Sequence, residues 1–248
     1  MLSKNKAKQI RQLHDKKHRT ELGLFLVEGE KSVVELLQSD FTIESLFITS
    51  SFHTLYKELL KDTEYSIVEQ PELENIGTLE SNNAALAVVF QKENTSLSVE
   101  QGEIVLALDT VRDPGNLGTI IRIADWYGIT KIVCSETTVD QYNGKVISAT
   151  KGSFTRVNLF YTDLHTYLHE QKNKNIPILA AFLEGEDVHS LAYPQEGILL
   201  MGSESHGIAP EYIEIVTKKV TIPSFGKAES LNVSIATAII VDNWRRSI

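Results

Sequence analysis

The stretch IVLALDTVRDPGNLGTIIRIAD, residues 104–125, decides the reading of this chain. It opens as an unbroken apolar run, turns through Pro114 and Gly115, and continues with apolar residues at helical spacing, the pattern of a buried strand feeding a helix in a parallel sheet. Asp109 closes the strand, and Asn116 is placed to cap a helix beginning near Leu117. On that helix Leu117, Ile120, Ile121 and Ala124 share one face, which leaves Gly118, Arg122 and Asp125 on another. Side chains lean toward a helix's N-terminus, so Arg122 is expected to project back over Gly118 toward the exposed amides of the first turn. A guanidinium there suits a phosphate or a developing oxyanion. The competing reading is an i,i+3 ion pair between Arg122 and Asp125 on a solvated face. Familiar phosphate loops do not fit: GNLG lacks the third glycine of the dinucleotide fingerprint, and no Gly-Lys-Ser/Thr follows.

Outward from this stretch the chain alternates strand-like and helix-like segments. Downstream, KIVCSE, NLFYTD, PILAAF, GILLMG and KVTIP continue the strand series. Upstream, FLVEG, LFITS, YSIVE and ALAVVF are strand-like, EKSVVELLQS and FHTLYKELLK are helical between them, and a lysine-rich helical pattern with Ile10 and Leu13 precedes all of them. The polar stretch QKENTSLSVEQGE (91–103) lacks an apolar period and reads as a linker. The expectation is therefore an α/β protein with two domains, 1–95 and 103–248, the second built on a mostly parallel sheet. Ligands of such sheets gather at the carboxyl ends of the strands.

The 248 residues suffice for such cores; a chain this long buries roughly 70% of its unfolded surface. Its single cysteine, Cys134, rules out an intrachain disulfide framework or thiolate metal cluster and favours a reducing compartment. The absence of a leader-like apolar segment or a membrane-length apolar run leads us to expect a cytoplasmic protein with no membrane partner. A net charge of −9 argues against bulk coating of nucleic acid, yet Lys4, Lys6, Lys8, Arg11, Lys16, Lys17 and Arg19 stand against only Asp15 in the first twenty residues. That asymmetry is a polyanion signal, although a solvated helix face has the same composition.

Two further loops carry polar groups. GSESHG (202–207) follows the strand GILLM; its glycines admit close backbone approach, and Glu204 can accept hydrogen bonds from an amine or hydroxyl. His206 has no partners at metal-ligand spacing, so no metal site is expected. In KVTIPSFGKAESLNVSIATAII a strand ends at Pro223, Gly226 lies in a turn, and a helix apolar nearly all round starts near Ser230. Ser230 and Asn232 then sit at the positive end of a buried helix, with plain N-capping by Ser230 as the simpler account.

Taken together, DTVRDPGNLGTIIRIAD, LLMGSESHGI and IPSFGKAESLNVSIATA resemble, in residue type, order and spacing, the three motifs of the SpoU/TrmH family of RNA ribose 2′-O-methyltransferases. The resemblance covers about 103–248. HRTELGLFLVEGEKSVVELL, near the start of the chain, looks like that family's substrate-binding domain, which is similar to ribosomal protein L30e. The resemblance implies a deep trefoil knot in the second domain, an exception to unknotted topology, and an S-adenosylmethionine site in the knotted loops at a homodimer interface. It places Asn116, Arg122, Glu204, Ser230 and Asn232 at catalytic positions. Gly202, Ile222 and Leu231, with Ala181 and Leu183 of the AAFL stretch, fall at cofactor-binding positions. RNA-binding candidates are Lys8, Arg11, Lys16 and Arg19. The 142–153 loop departs from the pattern, with Ser148 where many relatives have arginine, which leaves Lys145 and Lys151 to supply charge there. Ser205 also stands where glycine is common. The implied activity is methylation of ribosomal RNA, with transfer RNA as the alternative substrate. A catalytically silent RNA-binding or assembly protein is the rival of another class, and an oxidoreductase lacks its glycine fingerprint.

Overall fold

The computed structural model describes residues 2–203 and 207–248. Its first elements are α1 (Lys4–Gln12), α2 (Lys16–Leu22), β1 (Leu24–Glu28), α3 (Glu30–Leu37), β2 (Ile43–Ile48), α4 (Ser50–Tyr56), β3 (Ser66–Ile67), α5 (Gln70–Ile76) and β4 (Ala85–Phe90). There follow β5 (Ile104–Leu108), α6 (Pro114–Trp126), β6 (Lys131–Ser135), α7 (Gly144–Thr150), β7 (Asn158–Thr162), α8 (Leu164–Asn173), β8 (Ile178–Asp187), β9 (Gly197–Met201), β10 (Lys218–Thr221) and α9 (Val233–Ser247). Every strand-like run in the sequence forms a strand. The chain divides into two compact units, the first made of residues up to Glu93 together with Asp140–Arg156, the second of Asn94–Val139 and Val157–Ile248. Among the described residues no helix is long and apolar enough to cross a membrane.

The first unit holds a four-stranded sheet in the order β1-β4-β2-β3, antiparallel except for the β2–β3 pair. Side chains alternate across a strand, and the alternation divides the core. Phe25, Val27, Leu46, Ile48, Ala85, Ala87 and Val89 meet Val33 and Leu36 of α3 and Phe52 of α4 on one face. Leu26, Phe47, Leu86 and Val88 meet Ala7 and Ile10 of α1 and Leu73 and Ile76 of α5 on the other. The first of these faces is completed by Tyr142, Ile147 and Phe154; the Tyr142 and Phe25 ring centroids are 4.5 Å apart. The stretch read as a 142–153 loop of the second domain is thus mostly helix α7, capped by the Asn143 side chain, and it belongs to the core of the first unit. Its apolar residues leave water only by entering that core.

In the second unit all six strands are parallel, in the order β10-β8-β9-β5-β6-β7. The chain lays β5, β6 and β7 outward in one direction and crosses to place β8. It then inserts β9 between β8 and β5 and finishes with β10 outside β8. The order reverses between β5 and β9, so the crevice beyond their carboxyl ends is the switch point where such sheets bind ligands. Both faces are covered: Val105, Ala107, Val133, Ile198 and Leu200 pack with Leu164 and Leu168 of α8, while Leu106, Leu108, Ile132 and Leu199 are equally buried on the opposite face. Burial of Cys134 in β6 raises its thiol pKa and leaves it neutral. Near its end β8 leaves regular pairing: β10 pairs with Ala180 through Lys219 and with Glu186 through Val220, so residues 181–185 swing out of the ladder.

Candidate active site

Helix α6 begins one turn earlier than its sequence suggests. Asp113 is the N-cap, its Oδ1 accepting from the Asn116 backbone N–H at 2.8 Å, and Pro114 occupies the first turn. Proline has no N–H to lose there and is preset for helical φ, which moves the cap from Asn116 to Asp113. Helix α9 likewise starts later than Ser230. Asn232 is its N-cap, accepting from the Ser234 N–H at 2.9 Å and the Ser234 hydroxyl at 2.6 Å, and Ser230 lies exposed in the preceding loop. Both corrections release the same pair: Asn232 Nδ2 donates to Asn116 Oδ1 at 2.9 Å across 116 residues of chain.

The two helices run side by side in the same direction. Their N-terminal ends meet through Asn116 and Asn232; their C-terminal ends meet where Tyr127 Oη donates to Asp242 at 3.1 Å and Arg245 Nε donates to the Tyr127 carbonyl at 2.8 Å. Because α6 follows β5 in a parallel sheet, its N-terminus lies at the carboxyl edge, and α9 brings a second helix N-terminus to that edge. Two sets of partly unpaired amides with aligned dipoles make this edge hospitable to an anion. Arg122 is exposed on α6. Glu204, Ser205 and His206 lie outside the described residues.

Loss of the Asn232 side chain removes the α9 cap and the α6–α9 bridge together. Asn232→Ala is expected to cost about 1 kcal/mol from capping alone, read as a lower urea midpoint. Asn232→Asp, which retains a capping oxygen, should restore most of that stability while losing the N–H donated to Asn116.

The proposed cofactor contacts occupy the same edge. Ala181 and Leu183 lie on the excursion of β8, with Leu183 78% exposed. Thr221 Oγ1 donates to the Leu183 carbonyl at 2.9 Å, which places the excursion beside Ile222, the next residue. Leu231 is 49% exposed in the loop before α9. Gly202 follows β9, and a Cβ there would stand 2.2 Å from the Gly207 carbonyl carbon, so only glycine permits this backbone approach. Exposed apolar side chains with backbone polar groups suit an adenosyl group, whose faces are apolar and whose edges hydrogen-bond.

One group at the edge escaped sequence reasoning, which saw in Asp109 only a strand end. It is 7% exposed and accepts from the Thr110 hydroxyl at 2.8 Å and the Ala209 N–H at 3.4 Å. Burial, followed by the Asp109 charge, raises the Tyr212 phenol above its ordinary pKa.

Of the basic candidates, Lys8, Lys16, Lys145 and Lys151 are exposed. Arg11 is exposed but directs its guanidinium to Asn75 Oδ1 at 3.0 Å. Arg19 does not fit an RNA-binding role: it is 3% exposed, pairs with Asp140 at 2.7 Å, and donates to the Leu13 and His14 carbonyls at 3.0 and 2.9 Å. Its donors are committed to holding α2 against the start of the inserted segment.

The sequence matches the model of the SpoU rRNA methylase family over residues 103–242 and that of an MRM3-like substrate-binding domain over 4–87. It is 29% identical over 241 residues to the Bacillus subtilis (strain 168) 23S rRNA (guanosine(2553)-2′-O)-methyltransferase RlmP, covering 97% of this chain and 96% of that one. A Porphyromonas gingivalis protein assigned to the TrmH family of RNA methyltransferases superposes with a TM-score of 0.88 at 34% identity, covering 99% of both chains. An AdoMet-bound rRNA methyltransferase from Sinorhizobium meliloti superposes with a TM-score of 0.89 at 29% identity, covering 99% of this chain and 96% of that one. The family model spans residues 103–242, more than half of the chain, and so takes in the sheet whose edge α6 and α9 share; the chain belongs to the SpoU rRNA methylase family.

Proposed function

We propose that the protein is an S-adenosylmethionine-dependent RNA methyltransferase acting on a ribose 2′-hydroxyl of ribosomal RNA. The observation that carries the reading is the Asn116–Asn232 bond, which joins two family motifs at the carboxyl edge where the sheet order reverses. The similarity to RlmP along nearly the whole chain favours ribosomal over transfer RNA.

When bound, S-adenosylmethionine supplies an electrophilic methyl group on a sulfonium. Gly202, Ile222 and Leu231, with Ala181 and Leu183, would hold it. The chain's task is to align the acceptor oxygen and favour the negative charge that develops there. The Arg122 guanidinium offers hydrogen-bond donors and no acceptor; it grips the phosphate beside the acceptor ribose and stabilises the forming alkoxide. Asn116 and Asn232 fix the two helix N-termini, and Ser230 and Glu204 orient ribose, cofactor or Arg122. This chemistry calls for no metal.

Three structural parts of the reading go with the family. The insertion of β9 between β8 and β5, followed by β10 outside β8, supports a trefoil knot formed by the C-terminal segment. The first unit, a four-stranded sheet with helices on both faces, supports an L30e-like RNA-binding domain that uses Lys8, Arg11 and Lys16, with Lys145 and Lys151 on the inserted segment. Trp126 of α6 and Ile235 of α9 are 83% and 50% exposed, and these apolar surfaces support a homodimer with the site at its interface. A cytoplasmic location accords with work on ribosomal RNA.

Calorimetry with S-adenosylmethionine, paired with ribose-methylation mapping of total RNA from cells with and without the protein, tests the reading. Binding together with one ribose methylation lost from ribosomal RNA is the expected result. A methylation lost only from transfer RNA would transfer the assignment to that substrate, and no cofactor binding with no methylation lost would refute it.

A further inference from the structure

Thr110 has φ +59°, in the left-handed region that a β-branched side chain avoids. Such a backbone persists only where its surroundings over-determine it, and here they do. The Thr110 N–H donates to Ser135 Oγ at 2.8 Å. Its hydroxyl lies 2.8 Å from both Asp109 Oδ1 and Thr137 Oγ1. Ser135 Oγ is in turn 3.1 Å from Thr137 Oγ1 and 3.0 Å from Thr138 Oγ1, and Thr138 donates to the Leu108 carbonyl at 3.3 Å. The Val139 N–H closes the grip on the Val111 carbonyl at 2.9 Å. Ser135 and Thr138 are 8% and 3% exposed, so the Ser135–Thr138 and Thr138–Leu108 bonds are shielded from water and strong, while the Thr110–Thr137 bond is exposed. On the opposite side Asp109 reaches Ala209, which follows the loop after β9.

We infer that Ser135, Thr137 and Thr138, acting through Thr110 and Asp109, are positioning residues for methyl transfer: they hold the 109–113 turn in a strained shape that sets the α6 N-terminus, and with it Asn116 and Arg122, in register with Asp109 and its contact to Ala209. The inference rests on the methyltransferase reading. A turn needed only to connect β5 to α6 would take glycine at position 110 without strain; threonine accepts the strain and gains a hydroxyl that ties the end of β5 to the end of β6, with Asp109 reaching on to Ala209. The cost of error is steep, because a displacement of about 1 Å at reacting groups lowers rate by about 10²-fold.

The test compares Thr110→Val, which keeps shape and β-branching but loses the hydroxyl, with Ser135→Ala and Thr110→Asn, in the full chain. Hydrogen exchange on the protein without cofactor and steady-state kinetics with S-adenosylmethionine and ribosomal RNA are both measured. In Thr110→Val and Ser135→Ala, amides 110–117 should exchange about tenfold faster or more, and kcat should fall about tenfold or more with both KM values nearly unchanged. Thr110→Asn, tolerant of positive φ and able to hydrogen-bond, should remain close to wild type in both. Wild-type exchange in Thr110→Val overturns the clamp, and fast exchange with wild-type kcat overturns its positioning role. An inactive wild-type enzyme would count against the methyltransferase reading, while the exchange data would still decide whether the clamp holds the turn.

Discussion

Arg122→Ala is expected to lower turnover by about 10²-fold or more while leaving S-adenosylmethionine affinity unchanged. The separation follows from where the side chain stands. Arg122 is exposed on α6, whereas the residues assigned to the cofactor lie on the β8 excursion, at the end of β9 and in the loop before α9. The Arg122 side chain is exposed, so its removal costs little stability and the effect falls on the transition state. Arg122→Lys keeps the charge but not the planar fork that engages a phosphate through two parallel N–H groups; it should recover only part of the loss. Turnover of purified variants under saturating cofactor and RNA, with calorimetry of cofactor binding, checks both. Near-normal turnover in Arg122→Ala would remove the residue from the mechanism.

The second large effect concerns stability. Arg19→Ala leaves Asp140 partly buried without its counter-charge and strips donors from the Leu13 and His14 carbonyls. Removing one partner of such a pair costs about 3–5 kcal/mol, so a marked fall in the urea midpoint is expected, with unchanged RNA affinity for the protein that remains folded. Lys16→Ala should do the reverse, leaving the midpoint in place while reducing the slope of log affinity against log salt by about 0.7–0.9. Unchanged stability in Arg19→Ala would mean that Asp140–Arg156 is not fastened to the first unit as described.

These two arginines show what the sequence discloses and what it hides. The exposed face of Arg122 was legible because helix periodicity fixes it. Arg19, one of seven basic residues in the first twenty, could not be distinguished from the others. Its partner lies 121 positions away, and no local pattern announces a contact that distant. The inserted segment escaped for the same reason: Tyr142, Ile147 and Phe154 have no clear period of their own, and only the packed core shows which sheet they complete.

The strands were legible throughout, since short apolar runs between turn residues suffice to identify them. Helix starts were less so. Asp113 and Asn116, like Ser230 and Asn232, are equally good capping chemistry, and tertiary geometry chooses between them. The proline at 114 was the available signal for the first pair. The clamp around Thr110 gave no signal, because a positive φ at threonine is imposed by hydrogen-bond partners on another strand.

Methylation of a ribose hydroxyl by this chain leaves a chemical signature in its product. The direct measurement incubates the purified protein with methyl-labelled S-adenosylmethionine and ribosomal RNA from cells lacking it, then hydrolyses the RNA in alkali. A methylated 2′-oxygen cannot attack its neighbouring phosphate, so the label should emerge in a single alkali-resistant dinucleotide. Label released entirely as mononucleotides, or no incorporation into RNA at all, would contradict the claim.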